Sequence, residues 1–415
     1  MRILLSAYQC GPGMGSVSQI GWEWYSRMSR RAQVTLVTHI RNQECLTKAG
    51  APLPGSEVIY IDTEWFAGPL YRTAARLFPN SEHAVFLLAS GDFFVYDHAV
   101  LGQLRKRRAD WDIVHAVTPV SPMASSCLHR MGPPLVVGPW NGGLNSPTTF
   151  PEIMGADSAW VYRIRDVGRV FDRFFACTKK AALILTANRA TDSALPKHAR
   201  TLRMSENGVD LSVFRPAEEP PPPPGQVPLR VLFVGRLIPA KGVSMLLEAV
   251  DRVRDEFPIE VTIVGDGPVK AALERETEAR KLAGVVTLAG ALPLPEVARR
   301  MREAHVFCLP CVRESGGAVL LESLASAVPI IAVNYGGPAE IVDEQVGRAL
   351  SADGREPLVR DLIAALRDIV ANPEAWRQRG LRGRARAEEN YGWDARMGTA
   401  LKLFEGLLER RAVNV

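Results

Sequence analysis

The chain has 415 residues, of which 47% are hydrophobic and 23% charged, with a net charge of +5. This length predicts two domains with separate cores, and the composition excludes a disordered or fibrous protein. No run reaches the roughly 18 apolar residues of a membrane span, and the N-terminus lacks a signal-peptide pattern. Because the six cysteines show no framework spacing, we expect reduced thiols and a cytoplasmic protein.

Strand-like apolar runs alternate with helix-like runs along the whole chain. In the first half the strands are predicted at 2–7, 33–38, 58–61, 113–116, 135–138 and 183–186. In the second half they are predicted at 231–234, 261–264, 285–288, 306–309 and 329–333. Short apolar strands separated by helices predict an α/β protein with two doubly wound, parallel-sheet, Rossmann-like domains. Ligands of such sheets bind at the carboxyl ends of the strands.

A glycine-bearing loop follows the first predicted strand, with Gly11, Gly13 and Gly15 before a helix expected to begin near residue 18. A dinucleotide fingerprint requires a different glycine spacing and an acid after the second strand. Here the second strand ends in Thr38 and His39, which argues against NAD. The loop can still approach an anionic group closely.

Five consecutive prolines, Pro220 to Pro224, divide the chain. Such a run forms a stiff spacer rather than part of a core. We therefore predict a first domain over 1–215, a linker over 216–228, a second domain over 229–390 and a C-terminal helical segment over 391–415. Each half begins with a basic residue, an apolar strand and a glycine-bearing loop.

Two cations lie in the loop after the first strand of the second half. Arg236 follows the strand, and Lys241 precedes Gly242 and a helix. A guanidinium and an ammonium placed there can bracket a diphosphate, although a pair of solvated surface cations is the alternative.

Glu322 is the only charged residue between Glu314 and Glu340, in a run that is otherwise helical and apolar. A carboxylate on a buried helix costs several kcal/mol unless something partners it. Glu314 precedes Gly316 and Gly317, where a loop passes into a helix N-terminus. A polar, anionic ligand rich in hydroxyl groups would satisfy both acids and the glycine N–H groups, whereas pairing of Glu322 with a distant arginine is the structural alternative. The nearby Cys308 and Cys311 form a CxxC without further ligands, so packed thiols are favoured over zinc.

With these motifs, the chain resembles family 4 (group 1) retaining glycosyltransferases, which have the GT-B fold, two Rossmann-like domains facing a cleft. Glu314 and Glu322 match the family's pair of acids, and Gly235, Arg236, Leu237, Lys241 and Gly242 match its phosphate motif. The resemblance extends to VGDGP at 264–268, to GGPAEIV at 336–342 and to the strand that carries His115. It covers essentially the whole chain.

The resemblance implies a role for each matched residue. Glu314 would contact the donor sugar, Glu322 the ribose, and Arg236 and Lys241 the diphosphate. The list of implied donor contacts is completed by Gly15, Leu292, Gly316 and Gly317, and His115 is implied to act on the sugar from the first domain. No metal or other cofactor is implied, and the terminal helix is expected to cross back to the first domain.

The implied partners are a nucleotide-diphosphate sugar and a glycan or polyprenyl-linked or other lipid-linked acceptor. The positive excess lies in the first half, where Arg105 to Arg108 and the run from Trp160 to Lys180 indicate peripheral contact with an anionic membrane at its inner face. A solvated helix face packed on its own sheet is the alternative. Basic residues are not interleaved with aromatics as nucleic-acid binding requires. Two other function classes are left open. One is a different GT-B enzyme, such as a nucleotide-sugar epimerase or a phosphorylase-like protein, against which the acid and phosphate motifs argue. The other is a degenerate relative that binds a nucleotide sugar or a partner without catalysis.

Overall fold

A computed structural model describes residues 1–78, 91–144, 148–151, 172 and 175–413. Thirteen strands lie in these residues. They are β1 (Arg2–Ala7), β2 (Gln33–His39), β3 (Glu57–Ile61), β4 (Ile113–Thr118), β5 (Leu135–Trp140), β6 (Leu183–Thr186), β7 (Thr201–Arg203), β8 (Leu229–Val234), β9 (Ile259–Val264), β10 (Val286–Gly290), β11 (Val306–Leu309), β12 (Ile330–Val333) and β13 (Gly347–Leu350).

The helices of the described residues alternate with these strands. They are α1 (Ser16–Met28), α2 (Gln43–Lys48), α3 (Glu64–Leu77), α4 (Asp92–Leu104), α5 (Cys177–Lys180), α6 (Arg189–Ala194), α7 (Val243–Val253), α8 (Lys270–Ala279), α9 (Leu294–Glu303), α10 (Ala318–Ala325), α11 (Pro338–Ile341), α12 (Arg355–Ala371), α13 (Pro373–Arg386) and α14 (Trp393–Val413). In the described residues no helix is both long and apolar enough to span a bilayer.

Each half forms one parallel sheet. The first has the strand order β3-β2-β1-β4-β5-β6-β7, and the second has the order β10-β9-β8-β11-β12-β13. In each sheet the chain first adds strands on one side of its earliest strand, β1 or β8, and then continues on the other side of that strand. This change of direction creates a topological switch point between β1 and β4 and another between β8 and β11. The predicted pair of doubly wound parallel sheets is confirmed. Ligands of such folds bind beside the switch point, at the carboxyl ends of the strands.

The described residues group into two compact units. The first contains those within Met1–Gly143, Ala156–Glu206 and Met397–Val415, and the second contains those within Leu144–Gly155 and Asn207–Arg396. Residues 207–215, which the sequence prediction assigned to the first domain, therefore group with the second unit, as does the proline run. The chain leaves the second unit within α14 and ends in the first.

The cores explain why these segments form strands and helices. Central strands such as β4 and β11 are buried along their whole length, since helices cover both faces of a parallel sheet. The predicted apolar helix is α10, in which Leu320, Leu321 and Leu324 are completely buried. One charged residue, Glu322, lies on this helix.

Candidate functional site

The loops that follow β8 and β11 meet at the switch point of the second sheet. Val312 N–H donates to the Ala240 carbonyl at 3.0 Å. Gly242, at φ +70°, lies so close to the Pro310 carbonyl that a methyl group there would overlap it. A residue without Cβ and with access to positive φ is therefore required at 242, which fixes the position of the preceding Lys241 against the β11 loop.

Lys241 and Glu314 form an ion pair across this junction. The side chains are only 17% and 16% exposed. Burial opposes the charge of Lys241, but Cys311, the Glu314 charge and the hydrogen bond to Glu314 raise its pKa overall. Burial would likewise raise the pKa of Glu314, but the Lys241 charge and hydrogen bond keep that pKa below its ordinary value. Both groups are therefore charged at neutral pH.

The backbone after Glu314 turns back onto its own carboxylate. Gly316 N–H and Gly317 N–H donate to Glu314 Oε1 at 3.2 and 3.1 Å. The sequence analysis expected these two N–H groups to be free for a ligand, and the structure corrects this: the carboxylate occupies them, as a capping acid does at a helix start. The Glu314 carbonyl also accepts from Gly337 N–H at 2.8 Å, which ties in the loop after β12.

Glu322 lies one turn inside α10. In the described part of the chain no side chain or backbone group forms a hydrogen bond or ion pair with its carboxylate. Burial raises the pKa of Glu322 to about 7. The alternative of pairing with a distant arginine is therefore wrong for the residues described, and the acid stays available to a ligand.

Arg236 contrasts with Lys241 on the same loop. Its side chain is exposed, and no partner for it lies among the described residues. The loop below it is rigid, because Leu237 N–H donates to the Asp266 carbonyl at 2.8 Å and Gly265 packs directly on the Gly235 carbonyl. A free guanidinium on a fixed loop at a switch point is suited to an anionic ligand.

Leu292 follows β10 at the same edge of the second sheet. It is half-buried and packs on the core, while the neighbouring Ala291 is exposed. Gly290, at φ +71°, accepts from Gly265 N–H at 2.8 Å, so the β9 and β10 loops are joined. The structure thus places Leu292 on the sheet edge that carries Arg236, Lys241, Glu314 and Glu322.

Gly15 lies in the first unit, where it immediately precedes α1. The helix begins at Ser16, two residues earlier than expected, and Gly15 has φ +104°. Gly13 N–H is held by Gln19 Oε1 at 3.2 Å. Space is open where a Cβ of Gly15 would lie, so its positive φ rather than close packing requires glycine there.

His115 is not positioned for catalysis in this structure. It occupies the middle of β4 rather than its carboxyl end, and its side chain is completely buried. The ring contacts Trp24 edge-on at 4.6 Å and Phe404 of α14 at 5.4 Å between ring centroids. Its Nε2–H donates to the Gly138 carbonyl at 2.7 Å. Burial lowers the pKa of His115 to about 4. The residue joins three elements of the core, and the implied contact with a sugar is corrected.

The structure shows a polar cluster in the first unit that the sequence analysis did not predict. Tyr8 follows β1, Arg41 follows β2 and Glu64 opens α3, while Asp92 opens α4. Tyr8 Oη donates to the buried Asp92 carboxylate, and the Arg41 guanidinium contacts both Asp92, at 3.3 Å, and Glu64. These residues are dispersed over more than eighty positions and form no local motif, so only the parallel sheet brings them together.

Two basic segments of the first half were expected to contact an anionic membrane, and the structure describes them to different extents. Within Arg105 to Arg108, Arg107 is neutralised by Glu57 and Asp110, whereas its neighbours are exposed. Of the run from Trp160 to Lys180, residues 160–171, 173 and 174 lie outside the described residues. Phe175 of this run is half-buried and stacks on Phe94 at 5.2 Å.

All six cysteines are described, and none is in a disulfide. Cys308 and Cys311 are fully buried. Burial raises the pKa of Cys311 to about 11, so it is a packed thiol. In the part of the chain that the structure describes, no group of three or more His, Cys, Asp or Glu residues is arranged to hold a metal ion.

Two parallel-sheet units, the second with charged side chains gathered at its switch point, define a GT-B protein. Solved structures agree with this fold. Sucrose-phosphate synthase from Thermosynechococcus elongatus is 18% identical, with a TM-score of 0.62 over 99% of both chains. Anabaena HepE, in complex with UDP, is 15% identical, with a TM-score of 0.63 over 98% of this chain and 99% of that chain.

A family model and sequence relatives show similarity to glycosyltransferases. The model described as glycosyl transferases group 1 matches residues 217–386. An MMP alpha-(1->4)-mannosyltransferase of Mycolicibacterium hassiacum is 27% identical over 74% of this chain and 74% of its own. A GDP-mannose-dependent alpha-(1-6)-phosphatidylinositol monomannoside mannosyltransferase of Mycolicibacterium smegmatis is 32% identical over 44% of this chain and 49% of its own. Residues 217–386 therefore match the glycosyl transferases group 1 family, and these sequence relatives of the chain are mannosyltransferases.

Proposed function

We propose that this chain is a retaining, metal-independent glycosyltransferase that transfers a sugar from a nucleotide-diphosphate donor to a glycan or a lipid-linked acceptor. The observation that carries the proposal is the unpaired Glu322 beside the Lys241–Glu314 ion pair and the exposed Arg236, all at one switch point. Glu322 is half-buried, and a desolvated carboxylate without a partner is costly unless a ligand supplies one. The match of residues 217–386 to the glycosyl transferases group 1 family supports a nucleotide sugar as that ligand.

Each part of the donor has a suitable group on the second unit. Glu322 would accept hydrogen bonds from the ribose hydroxyls, and Arg236 would fork two phosphate oxygens. Glu314 would contact sugar hydroxyls while Lys241 contacts the diphosphate. The base would lie on the backbone around Ala291 and Leu292. Because backbone contacts leave no side-chain signature, the nucleotide is to be found by measurement.

In the proposed reaction the bond between the sugar C1 and the diphosphate oxygen breaks, and negative charge grows on that oxygen. Lys241 and Arg236 stabilise this charge more strongly in the transition state than in the bound donor, and such a difference is what accelerates a reaction. An acceptor hydroxyl attacks C1 from the face that the diphosphate leaves. Its proton passes to the departing phosphate, so charge and atoms balance and the anomeric configuration is kept.

The two cations supply the charge that a divalent ion provides in other transferases, which is why no metal is proposed. The Tyr8–Asp92–Arg41–Glu64 cluster of the first unit offers donors and acceptors suited to a hydroxyl-rich acceptor. By their names, one relative is an MMP alpha-(1->4)-mannosyltransferase and another is a phosphatidylinositol monomannoside mannosyltransferase. These names support a glycan or a lipid-linked glycan as acceptor here.

The first experiment is a thermal-shift screen of the purified protein with UDP, GDP, ADP, TDP and their common sugar conjugates, with and without EDTA. A rise in melting temperature with one nucleotide class, unchanged by EDTA, would support a metal-free transferase and identify the donor. The Glu322→Gln variant serves as the site control, since it should lose most of the rise. A rise that EDTA abolishes would overturn the metal-free part. No shift with any nucleotide would favour the degenerate, non-catalytic class.

Stereochemistry requires a separate assay. The product formed from the identified donor would be examined by proton NMR for the anomeric coupling of the transferred sugar. A product with the donor's configuration is expected, and an inverted product would overturn the retaining mechanism.

A further inference from the structure

Helix α3 buries small residues and exposes large apolar ones, the reverse of an ordinary surface helix. In this 14-residue helix only Ala67 and Ala74 are buried. Trp65, Tyr71 and Leu77 are 72%, 57% and 64% exposed. These three side chains are half of the six exposed large hydrophobic residues in the described chain. A concentration of exposed apolar side chains on one element indicates an interaction surface.

The exposed face of α3 is also basic. At 100° per residue, Arg72 and Arg76 lie within about 20° of the line through Trp65, on the side opposite the buried alanines. Both arginines are exposed, and the structure shows no partner for either among the residues it describes. Tyr71 and Leu77 lie about 120° to either side of this line, nearer the buried alanines, so the outermost face of the helix consists of Trp65, Arg72 and Arg76. An aromatic residue beside arginines on the exposed side of a helix is typical of helices that lie in a membrane interface.

The charges determine which occupant fits this face. Two unpaired arginines would repel each other across a symmetric contact with a second copy of the chain. An anionic lipid surface attracts them, and Trp65 is the type of side chain that partitions to the headgroup level. We propose that α3 docks the protein on an anionic bilayer, with the Trp65–Arg72–Arg76 stripe facing the headgroups.

The position of α3 links this surface to the polar cluster of the first unit. The helix begins at Glu64, whose carboxylate pairs with Arg41, and Arg41 in turn contacts Asp92. Docking through α3 would therefore bring lipid headgroups next to that cluster. In this respect the inference rests on the proposed function, because it explains how a lipid-linked acceptor would reach the protein. It also differs from the sequence prediction, which assigned membrane contact to two other basic segments.

The test is flotation of the full-length protein with vesicles of phosphatidylcholine alone or with one third phosphatidylglycerol. We expect binding to the anionic vesicles only and release by added salt. Arg72→Glu with Arg76→Glu should lower the partition coefficient more than ten-fold, and Trp65→Ala several-fold, since each cation contributes roughly five-fold at such a surface. Because these side chains are exposed and the arginines unpaired, melting temperatures should stay unchanged.

Matched controls come from the second unit. Arg360 is 72% exposed and Leu294 is 53% exposed. Arg360→Glu and Leu294→Ala should bind vesicles within two-fold of the parent. Equal binding to both vesicle types, no binding to either, or parental binding by the α3 variants would overturn the proposal. A dimer in gel filtration that the α3 variants abolish would overturn it in favour of self-association. The nucleotide-induced thermal shift is measured on the same samples, so failure of docking is distinguished from failure of the donor binding that the proposed function requires.

Discussion

Lys241 and Glu314 lie 73 residues apart in the chain and form an ion pair between the loops after β8 and β11. Each is partly covered, and the glycine N–H groups add to the acid's contacts. Since both are implied donor contacts, a bound donor would have to share this pair. The ion pair keeps the ammonium charged and in place before the diphosphate arrives, which reduces the reorganisation needed during the reaction.

Replacing Lys241 with Met should reduce turnover by two or more orders of magnitude, the scale expected for one lost charge contact in a transition state. It should also destabilise the protein by about 1–3 kcal/mol, because Glu314 then lies buried without its countercharge. The pKa of Glu314 should rise as a result. Turnover is measured with the donor found by thermal shift, and stability by urea unfolding.

A double variant separates these two effects. Lys241→Met with Glu314→Gln removes both charges, so most of the stability should return, while activity should stay low. Activity within a few-fold of the parent in either variant would contradict the phosphate role of Lys241.

Arg236 provides the complementary case, because it is exposed and without a partner among the described residues. Arg236→Ala should leave the melting temperature of the free protein unchanged but weaken donor binding about ten-fold or more, as expected for a lost charge-assisted contact. Arg236→Lys should recover only part of the affinity, since lysine lacks the bidentate fork. Binding is measured by calorimetry, with Arg360→Ala as the exposed-cation control. Parental affinity in Arg236→Ala would show that this guanidinium faces solvent in the complex as well.

Much of the fold could be predicted from the sequence, because buried parallel strands are short, apolar and separated by helices. Every predicted strand is present. Two strands were missed, β7 (Thr201–Arg203) and β13 (Gly347–Leu350). Both are at sheet edges, and each carries an arginine, so neither gives the apolar run that marks a central strand.

The grouping of Arg236, Lys241 and Glu322 in the second unit could be predicted for a different reason. The isolation of Glu322 in an apolar run can be read directly from the sequence. So can the presence of Arg236 and Lys241 on one loop. The occupation of the Gly316 and Gly317 N–H groups by Glu314 depends on a local turn that residue spacing does not determine. His115 was misjudged because its position within β4 decides burial, and strand boundaries are not resolved from sequence to one residue.

Glu322 should make stability depend on pH. Its pKa is raised from the ordinary value of 4.5 to about 7, so the folded state favours the neutral acid. That advantage is complete below pH 4.5 and is lost as pH rises through 7. Glu322→Gln stays neutral, so it should gain stability over the parent across this range, by roughly 1–3 kcal/mol at pH 8. Bound nucleotide should make the parent more stable than Glu322→Gln, because glutamine is a poorer acceptor for ribose hydroxyls. Melting curves at pH 5 and pH 8, with and without nucleotide, measure both effects, and a difference independent of pH would contradict them.

His115 should make the stability of the protein depend on pH in the opposite direction from Glu322. Its pKa is lowered from 6.5 to about 4, so the folded state favours the neutral ring. The stability this provides is present above pH 6.5 and is lost as pH falls towards 4, by about 3 kcal/mol in all. His115→Phe keeps the aromatic contacts but cannot titrate, so its stability should fall less over this window. At pH 7.5 it should be about 1–3 kcal/mol less stable than the parent, because the Gly138 carbonyl loses its donor. Retained nucleotide binding would agree with a structural role, whereas full stability with loss of catalysis would restore the catalytic assignment.

The glycine at 242 tests whether loop packing positions the site. Gly242 and Gly284 both have positive φ, +70° and +83°, but only Gly242 has a close neighbour, the Pro310 carbonyl. Gly284→Ala should therefore cost about 1 kcal/mol, the strain of a left-handed residue with a side chain. Gly242→Ala adds an overlap that requires the β8 and β11 loops to separate, which moves Lys241 away from Glu314. It should lose more stability than Gly284→Ala and also lose most of the nucleotide-induced thermal shift, which Gly284→Ala should keep. Equal behaviour of the two variants would mean that the site tolerates separation of the loops and that their contact does not position Lys241.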